Sequence, residues 1–548
     1  MPPTKIRPSI RPRLLVAIPA LALLAGSAIS APALADAGRP ASGPHVLVPG
    51  DLLVSESYYQ TDTGIVAGQT VLPPGCTSGC ATAIADGTYP EVFNNDSVDG
   101  SFGVTSKLYL QEIQPDGRPA ALIRVPASDL VTSFSSKSEG ALNLSSNGKY
   151  VTFMDYVAAP DEVDVSNSNT PGAIDPTNPV TGAYYRAVAR LSANGTFQFT
   201  ETNAYSGNNG RAATEATVNG KEYIYTAGNA GNGSNPQPDG VILGAGTQII
   251  TPSDQPEADQ TPGTPTPVGS FNVTALGDKA DKVGKDDNFR GLTMYHNVLY
   301  YTKGSGGNGV DTVYFLDTTG KACPNGTGLP QPGAALPTTG LSYDLSILQA
   351  DGLPSNMCIL KGFPTDLAKN ATDASDYPFG MWFANPTTLY VADEGSGDNA
   401  YANGSYTAAA ASTTAGLQKW VYDSAAGEWE LAYTLQGGLN LGAPYTVRGY
   451  PAGINAVTGL PWAPATDGLR NITGRVNPNG TVTIWAITST VSGGGDQGAD
   501  PNQLVTITDA LGATAPASGE AFRTLRAAGF DQVLRGVSFT PGTRTGGR

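Results

Sequence analysis

Five times along this chain a strand-like run meets a tight turn built on asparagine, and a second strand-like run follows. The clearest copy lies within residues 286–317. Gly291 to Tyr295 is one extended segment, His296-Asn297 reverses the chain, Val298 to Thr302 is a second, and Asp311 to Leu316 is a third after a glycine-rich loop. The other copies are Ser138 to Val157 (turn at Ser146-Asn147-Gly148), Arg211 to Ala227 (Asn219-Gly220), Phe379 to Asp393 (Asn385-Pro386) and Arg470 to Thr488 (Asn477 to Gly480). Their β-branched and aromatic residues suit half-buried strands, but a three-stranded meander is marginal alone and must bury its faces on neighbours. A chain that repeats such a unit therefore packs its copies against one another.

Each copy is followed by a loop rich in Gly, Asn and Ser and then by further strand-like runs: Tyr185 to Leu191, Gly240 to Ile250, Thr312 to Leu316, Leu417 to Tyr422 and Gln503 to Thr508. The ends supply a sixth unit. Leu534 to Thr540 reads as a first strand with nothing after it, and Asp51 to Tyr59 as a second strand lacking its first, with Lys107 to Gln114 and Pro119 to Val125 beyond. Pairing the two ends removes the exposed edges that invite aggregation. This pattern resembles a β-propeller over nearly all of residues 36–548. The resemblance implies an all-β chain, a single propeller of six four-stranded blades closed by pairing of the N- and C-terminal strands. Seven blades stay open, because Asn440 to Gly468 is unassigned and Arg448-Gly449 echoes Arg290-Gly291. Six units mean about 85 residues per blade, against roughly 40 to 50 in compact propeller repeats. Long insertions are therefore expected near 61–106, 160–182, 251–269, 399–415 and 438–468, and Ser518 to Gly529 reads as a short helix or a fourth strand. The block from Asp287 to Gly326 is also similar to a stretch in a group of exported propeller-like proteins. That likeness implies export and the fold, and transfers no catalytic residue.

Residues 1–35 read as an export signal: Lys5, Arg7, Arg11 and Arg13, an apolar run from Leu14 to Ile29, and the small-residue site Ala33-Leu34-Ala35. No later stretch reaches the roughly 18 to 20 apolar residues of a membrane span. A secreted, extracellular protein is expected. Its four cysteines, Cys76, Cys80, Cys323 and Cys358, then allow three disulfide connectivities, and proximity favours 76 with 80 and 323 with 358. A formal charge of −16 with 14% charged residues repels nucleic acid and anionic membrane. A small molecule or a glycan remains as the ligand class, and a monomer is expected.

Strand-one starts, strand-two ends and the long loops share one face of a propeller, and the tight turns share the other. Stepping back from each turn places Glu139, Arg211, Arg290, Phe379, Arg470 and Arg535 around the channel mouth; strand-two ends add Glu56, Asp155, Lys303, Asp393 and Glu394. Arginines suit an anionic group because their donor fork matches a carboxylate, and carboxylates supply acid–base chemistry. The same residues can instead pair with each other and hold blades in register. Histidine narrows the choice. His45 lies near the start of the mature chain and His296 in a tight turn on the opposite face, which disfavours Ser-His-Asp hydrolases and His-ligated metal centres. Gly304 to Gly309 matches GxGxxG but leads into a strand, and a dinucleotide site needs a helix there.

The expected catalysts are thus Glu139, Asp155, Glu56, Asp393 and Glu394. The expected substrate-binding residues are Arg211, Arg290, Lys303, Arg470, Arg535 and Phe379, with Trp382 and Tyr377 as aromatic rim residues. The leading reading is a hydrolase or lyase acting on carbohydrate, anionic carbohydrate included. A Ca²⁺-dependent lactonase or esterase using carboxylates with Asn209 or Asn288 is the second, and a glycan- or protein-binding propeller without catalysis the third.

Overall fold

The computed structural model describes residues 45–59, 66, 68–72, 81–82, 103–134, 136–176, 178, 180, 182–231, 246–257, 268–279, 286–341, 355–370, 376–494 and 497–544. Six small antiparallel sheets stand in a ring, a six-bladed β-propeller. From the channel outward, blade one runs Gln532–Phe539, Leu52–Tyr58, Thr105–Ile113, Pro119–Arg124, and blade two runs Asn143–Leu144, Tyr150–Tyr156, Arg186–Ser192, Phe197–Thr202. Blade three holds Gly210–Val218, Lys221–Gly228 and Gly246–Ile250 among the described residues, and blade four Leu292–Tyr295, Val298–Lys303, Thr312–Leu316 and Met357–Leu360. Blade five is Pro378–Asn385, Thr388–Asp393, Gly416–Asp423 and Glu428–Leu435; blade six is Ala465–Val476, Thr481–Val491, Gln503–Ala510 and Arg523–Ala527.

The tight turns form where the residue types permit. His296 and Asn297 have φ of 46° and 63°, and Asn219 and Gly220 have 51° and 81°, the left-handed pair that a two-residue hairpin needs to match strand twist. The ring closes as the paired ends imply: Leu52 lies opposite Phe539 and Tyr58 opposite Gln532. Neighbouring inner strands approach closely because glycine stands at the crossings. A Cβ on Gly291 would lie 1.9 Å from the Phe379 carbonyl, and one on Gly536 2.6 Å from the Leu142 amide. The apolar faces bury against adjacent blades. Tyr301, Phe315 and Ile359 of blade four join Tyr225 of blade three and Val391 of blade five, while Leu53, Leu110, Val151 and Leu191 meet Trp485 and Val537.

Asn440 to Gly468 forms turns and isolated bridges and then leads into the inner strand of blade six, so it adds no seventh sheet. Of Ser518 to Gly529, residues Arg523–Ala527 form the fourth strand of blade six. The 399–415 insertion carries a small hairpin, Tyr401–Ala402 with Ser405–Tyr406, and a helical turn at Thr407–Ala411. Cys323 and Cys358 form a disulfide between the outer segments of blade four, with their Cα atoms 5.5 Å apart. Cys76, Cys80, residues 1–35 and most of 61–106 and 251–269 lie outside the described residues. Among the described residues no helix is long and apolar enough to cross a membrane.

Candidate functional site

Side chains from opposite sides of a six-membered ring can touch only near its axis. On the long-loop face they do. Lys137, just before the inner strand of blade two, donates from Nζ to Glu394 Oε1 of blade five at 2.9 Å. Arg470 of blade six donates from Nε to Glu394 Oε2 at 3.2 Å. Arg290, at the entry to blade four, donates to the Ser138 hydroxyl of blade two and to the Ser305 hydroxyl of its own blade. Arg290 Nε has no hydrogen-bond partner among the described residues. Beside Arg290 lies Glu139, whose carboxylate accepts from Ser136, from the Tyr156 hydroxyl and, at 2.8 Å, from Asn209 Nδ2.

The charges in this cluster are unequal. Burial alone would push the Glu394 carboxyl up, but Lys137, Arg470 and Arg290 together outweigh it and hold the group below its ordinary value. Burial pulls Lys137 down; Glu394 opposes that, and Arg290 and Arg470 add to it. Lys137 lies deep in the ring, yet a third of its side chain stays open to the channel, whereas Glu394 is 3% exposed. Arg290, Asn288, Ser305 and Tyr377 are likewise half-buried. The accessible surface of the mouth is therefore cationic and hydrogen-bonding, and its carboxylates lie behind it. Asp467 of blade six adds a carboxyl raised to about 6 by burial, with Gly397 N donating to Oδ2 at 2.8 Å.

Of the residues expected at the mouth, Arg290, Arg470, Glu139 and Glu394 converge. The others serve the blades. Glu56 takes both oxygens to one guanidinium nitrogen of Arg526, at 2.6 and 2.7 Å, across the junction of blades six and one. Arg535 donates to the Ser133 and Phe134 carbonyls and, at 3.1 Å, to the Ser57 hydroxyl. Lys303 is fully buried against Asp311 at 2.5 Å. Arg211 donates to Asn288 Oδ1 and, at 2.9 Å, to the Phe289 carbonyl. Burial pushes Asp155 well above the ordinary carboxylate range; the Thr132 hydroxyl opposes this. Burial also raises Asp393, to about 7, although Tyr377 N and Gly395 N donate to it at 2.7 and 2.9 Å. Phe379 is wholly buried, and Trp382 packs over Gly474 of blade six instead of facing a ligand.

Lys137, Ser138, Ser305 and Asp467 escape the sequence reading. Stepping back from a turn yields one position per blade, and nothing in the sequence says that the neighbour two residues before Glu139 spans the channel. The amides expected as oxygen ligands for a cation are already turned to one: Asn288 Oδ1 accepts from Arg211, and Asn209 Oδ1 lies 3.5 Å from the same guanidinium. Among the described residues no group of three or more His, Cys, Asp or Glu is arranged to hold a metal ion.

No family model and no curated protein matches the chain. Solved structures do. A protein of unknown function from Dyadobacter fermentans aligns over 75% of this chain and 100% of its own, at 10% identity and a TM-score of 0.28. A polysaccharide lyase described as an ulvan lyase aligns over 80% and 91%, at 9% identity and 0.27. The extracellular domains of Drosophila semaphorin 1a align over 75% and 84%, at 10% identity and 0.27. At such values nothing of their function carries to this chain.

Proposed function

We propose that this is an exported propeller acting on carbohydrate that bears a carboxylate, and that the carboxylate is held in the cluster of Lys137, Arg290 and Arg470. One observation carries the reading: three cations from three blades surround a single carboxylate, Glu394, in a protein of net charge −16. The exposed part of Lys137 supplies the donors within reach of a ligand, and half-buried Arg290 beside it adds positive charge. The chemistry this favours is elimination next to the bound carboxylate. Neutralising that group by guanidinium makes the neighbouring C–H more acidic. Lys137 as the neutral amine takes that proton, the C–H electrons form a C=C bond as the C–O bond to the next sugar breaks, and the resulting ammonium returns the proton to the departing oxygen. Lys137 takes that role because it is the titratable member of the cluster most open to the channel. Hydrolysis by two facing carboxylates is less favoured, since Glu139 and Glu394 are buried and already hydrogen-bonded.

Binding without turnover is the second reading, favoured by the same burial of Glu139, Glu394 and Asp467. Export rests on the residue 1–35 pattern and suits the Cys323–Cys358 disulfide. The test is a panel of uronate-containing oligosaccharides. Elimination creates an unsaturated uronate that absorbs in the ultraviolet, hydrolysis creates reducing ends without that absorbance, and a pure binder gives heat in calorimetry and neither product. Uronate oligosaccharides that neither bind nor react, while neutral ones do, would overturn the proposal.

A further inference from the structure

The inner strands that start at the cation cluster end at a second opening. Blade four runs from Arg290 to the His296-Asn297 turn, and blade two from Glu139 to Ser146. At that far end lies a cavity of about 280 Å³ lined by Asn143, Ser146, Thr214, Thr293, His296 and Asn297, with Leu144 and Met294. We infer that this cavity is a binding site for a single neutral sugar ring, separate from the anionic site at the opposite mouth.

Three features point to that ligand. The lining carries hydroxyls and amides and no carboxylate, lysine or arginine, so it offers hydrogen bonds to a polyol and no ion pair. His296 forms an aromatic stack, its ring 4.1 Å from Tyr295 with 10° between planes, and Tyr295 lies 4.5 Å from Phe383 at 9°. One imidazole face is thereby fixed on Tyr295 while the residue stays exposed, so the ring is a rigid platform of the kind the C–H face of a pyranose packs on. At about 280 Å³ the volume falls just below the roughly 300 to 1,000 Å³ of small-ligand pockets, which suits one ring and no longer chain. Two positive-φ residues hold the platform in a tight turn, so its geometry is set before a ligand arrives.

The sequence holds two histidines, which makes the test direct. Imidazole proton resonances are recorded on the intact protein while methyl β-glucopyranoside or methyl α-mannopyranoside is added, and His296→Asn, a residue that tolerates positive φ, assigns the His296 signal. The expected result is a saturable shift of His296 with His45 unmoved. Thr293→Val should weaken the binding about fivefold, as loss of one neutral hydrogen bond does. Arg290→Met should leave it unchanged, which separates this site from the proposed anionic one. A His296 signal that stays still up to the solubility limit of both glycosides overturns the inference, as does a shift that Arg290→Met abolishes.

Discussion

Replacing Arg526 by Met strips a buried carboxylate of its partner at the seam where the ring closes. Glu56 is fully buried, and Arg526 meets both its oxygens and also the Gln111 side-chain oxygen. Burial raises the Glu56 pKa, and Arg526 lowers it through charge and hydrogen bonds. Burial already outweighs Arg526 in the intact pair, and with Arg526 gone nothing opposes it, so the folded state binds the proton more tightly still. Breaking such a pair costs about 3 to 5 kcal/mol. The added cost is present in full at pH values above the variant's folded pKa and shrinks as pH falls toward the smaller raised value of the intact pair, by at most roughly 1.4 kcal/mol per pH unit. Urea unfolding at pH 7.5 and pH 5.0 measures both. The expected outcome is a large loss at pH 7.5, a clearly smaller one at pH 5.0, and recovery in the double variant Glu56→Leu with Arg526→Met. A loss below about 1 kcal/mol, or one equal at both pH values, would refute the reasoning.

Arg290→Met should weaken uronate binding by roughly 10- to 100-fold, the equivalent of a charge-assisted hydrogen bond of about 1.5 to 3 kcal/mol, with little change in the unfolding midpoint; calorimetry and urea titration together check it. Removing the Cys323–Cys358 bridge by double serine substitution should cost about 2 to 4 kcal/mol, read as a lower melting temperature under non-reducing conditions. Asp500 is held at about 6 by burial, above its ordinary 3.8, so it destabilises the folded state as pH rises through that interval. Its Tyr450 partner and nearby Ser492 hydroxyl can serve an amide equally well, so Asp500→Asn should remove roughly 3 kcal/mol of pH dependence between pH 4 and pH 7. Unfolding curves of parent and variant that run parallel across that range would contradict this.

The blades were legible because their signals are local. Asparagine, glycine and histidine at the turns tolerate positive φ, and the runs between them carry β-branched and aromatic side chains. Outer strands such as Phe197–Thr202 and Glu428–Leu435 carry polar residues on an open face and give weaker patterns. The site was half legible for a related reason. Taking the end of a second strand as a channel position assumes regular pairing with the inner strand, but the pairing of Leu52–Tyr58 with Gln532–Phe539 shifts register between Val54 and Glu56, and Glu56 is found against Arg526 instead of at the channel. Nor can a local pattern show that Lys137 meets Glu394, 257 residues away, because their contact exists only once blades two and five face each other.

The seam at blade one also sets an order of events. Ser55 hydrogen-bonds the Gly536 amide, and the two are 481 residues apart in sequence. Until residues 532–539 have been made, Leu52–Tyr58 presents an unpaired edge and the channel has a gap where its sixth wall should stand. Five blades can form as translation proceeds, but the circle is sealed only afterwards, by an intramolecular strand exchange between distant halves of one polypeptide. Its maturation clock starts with the arrival of Leu534.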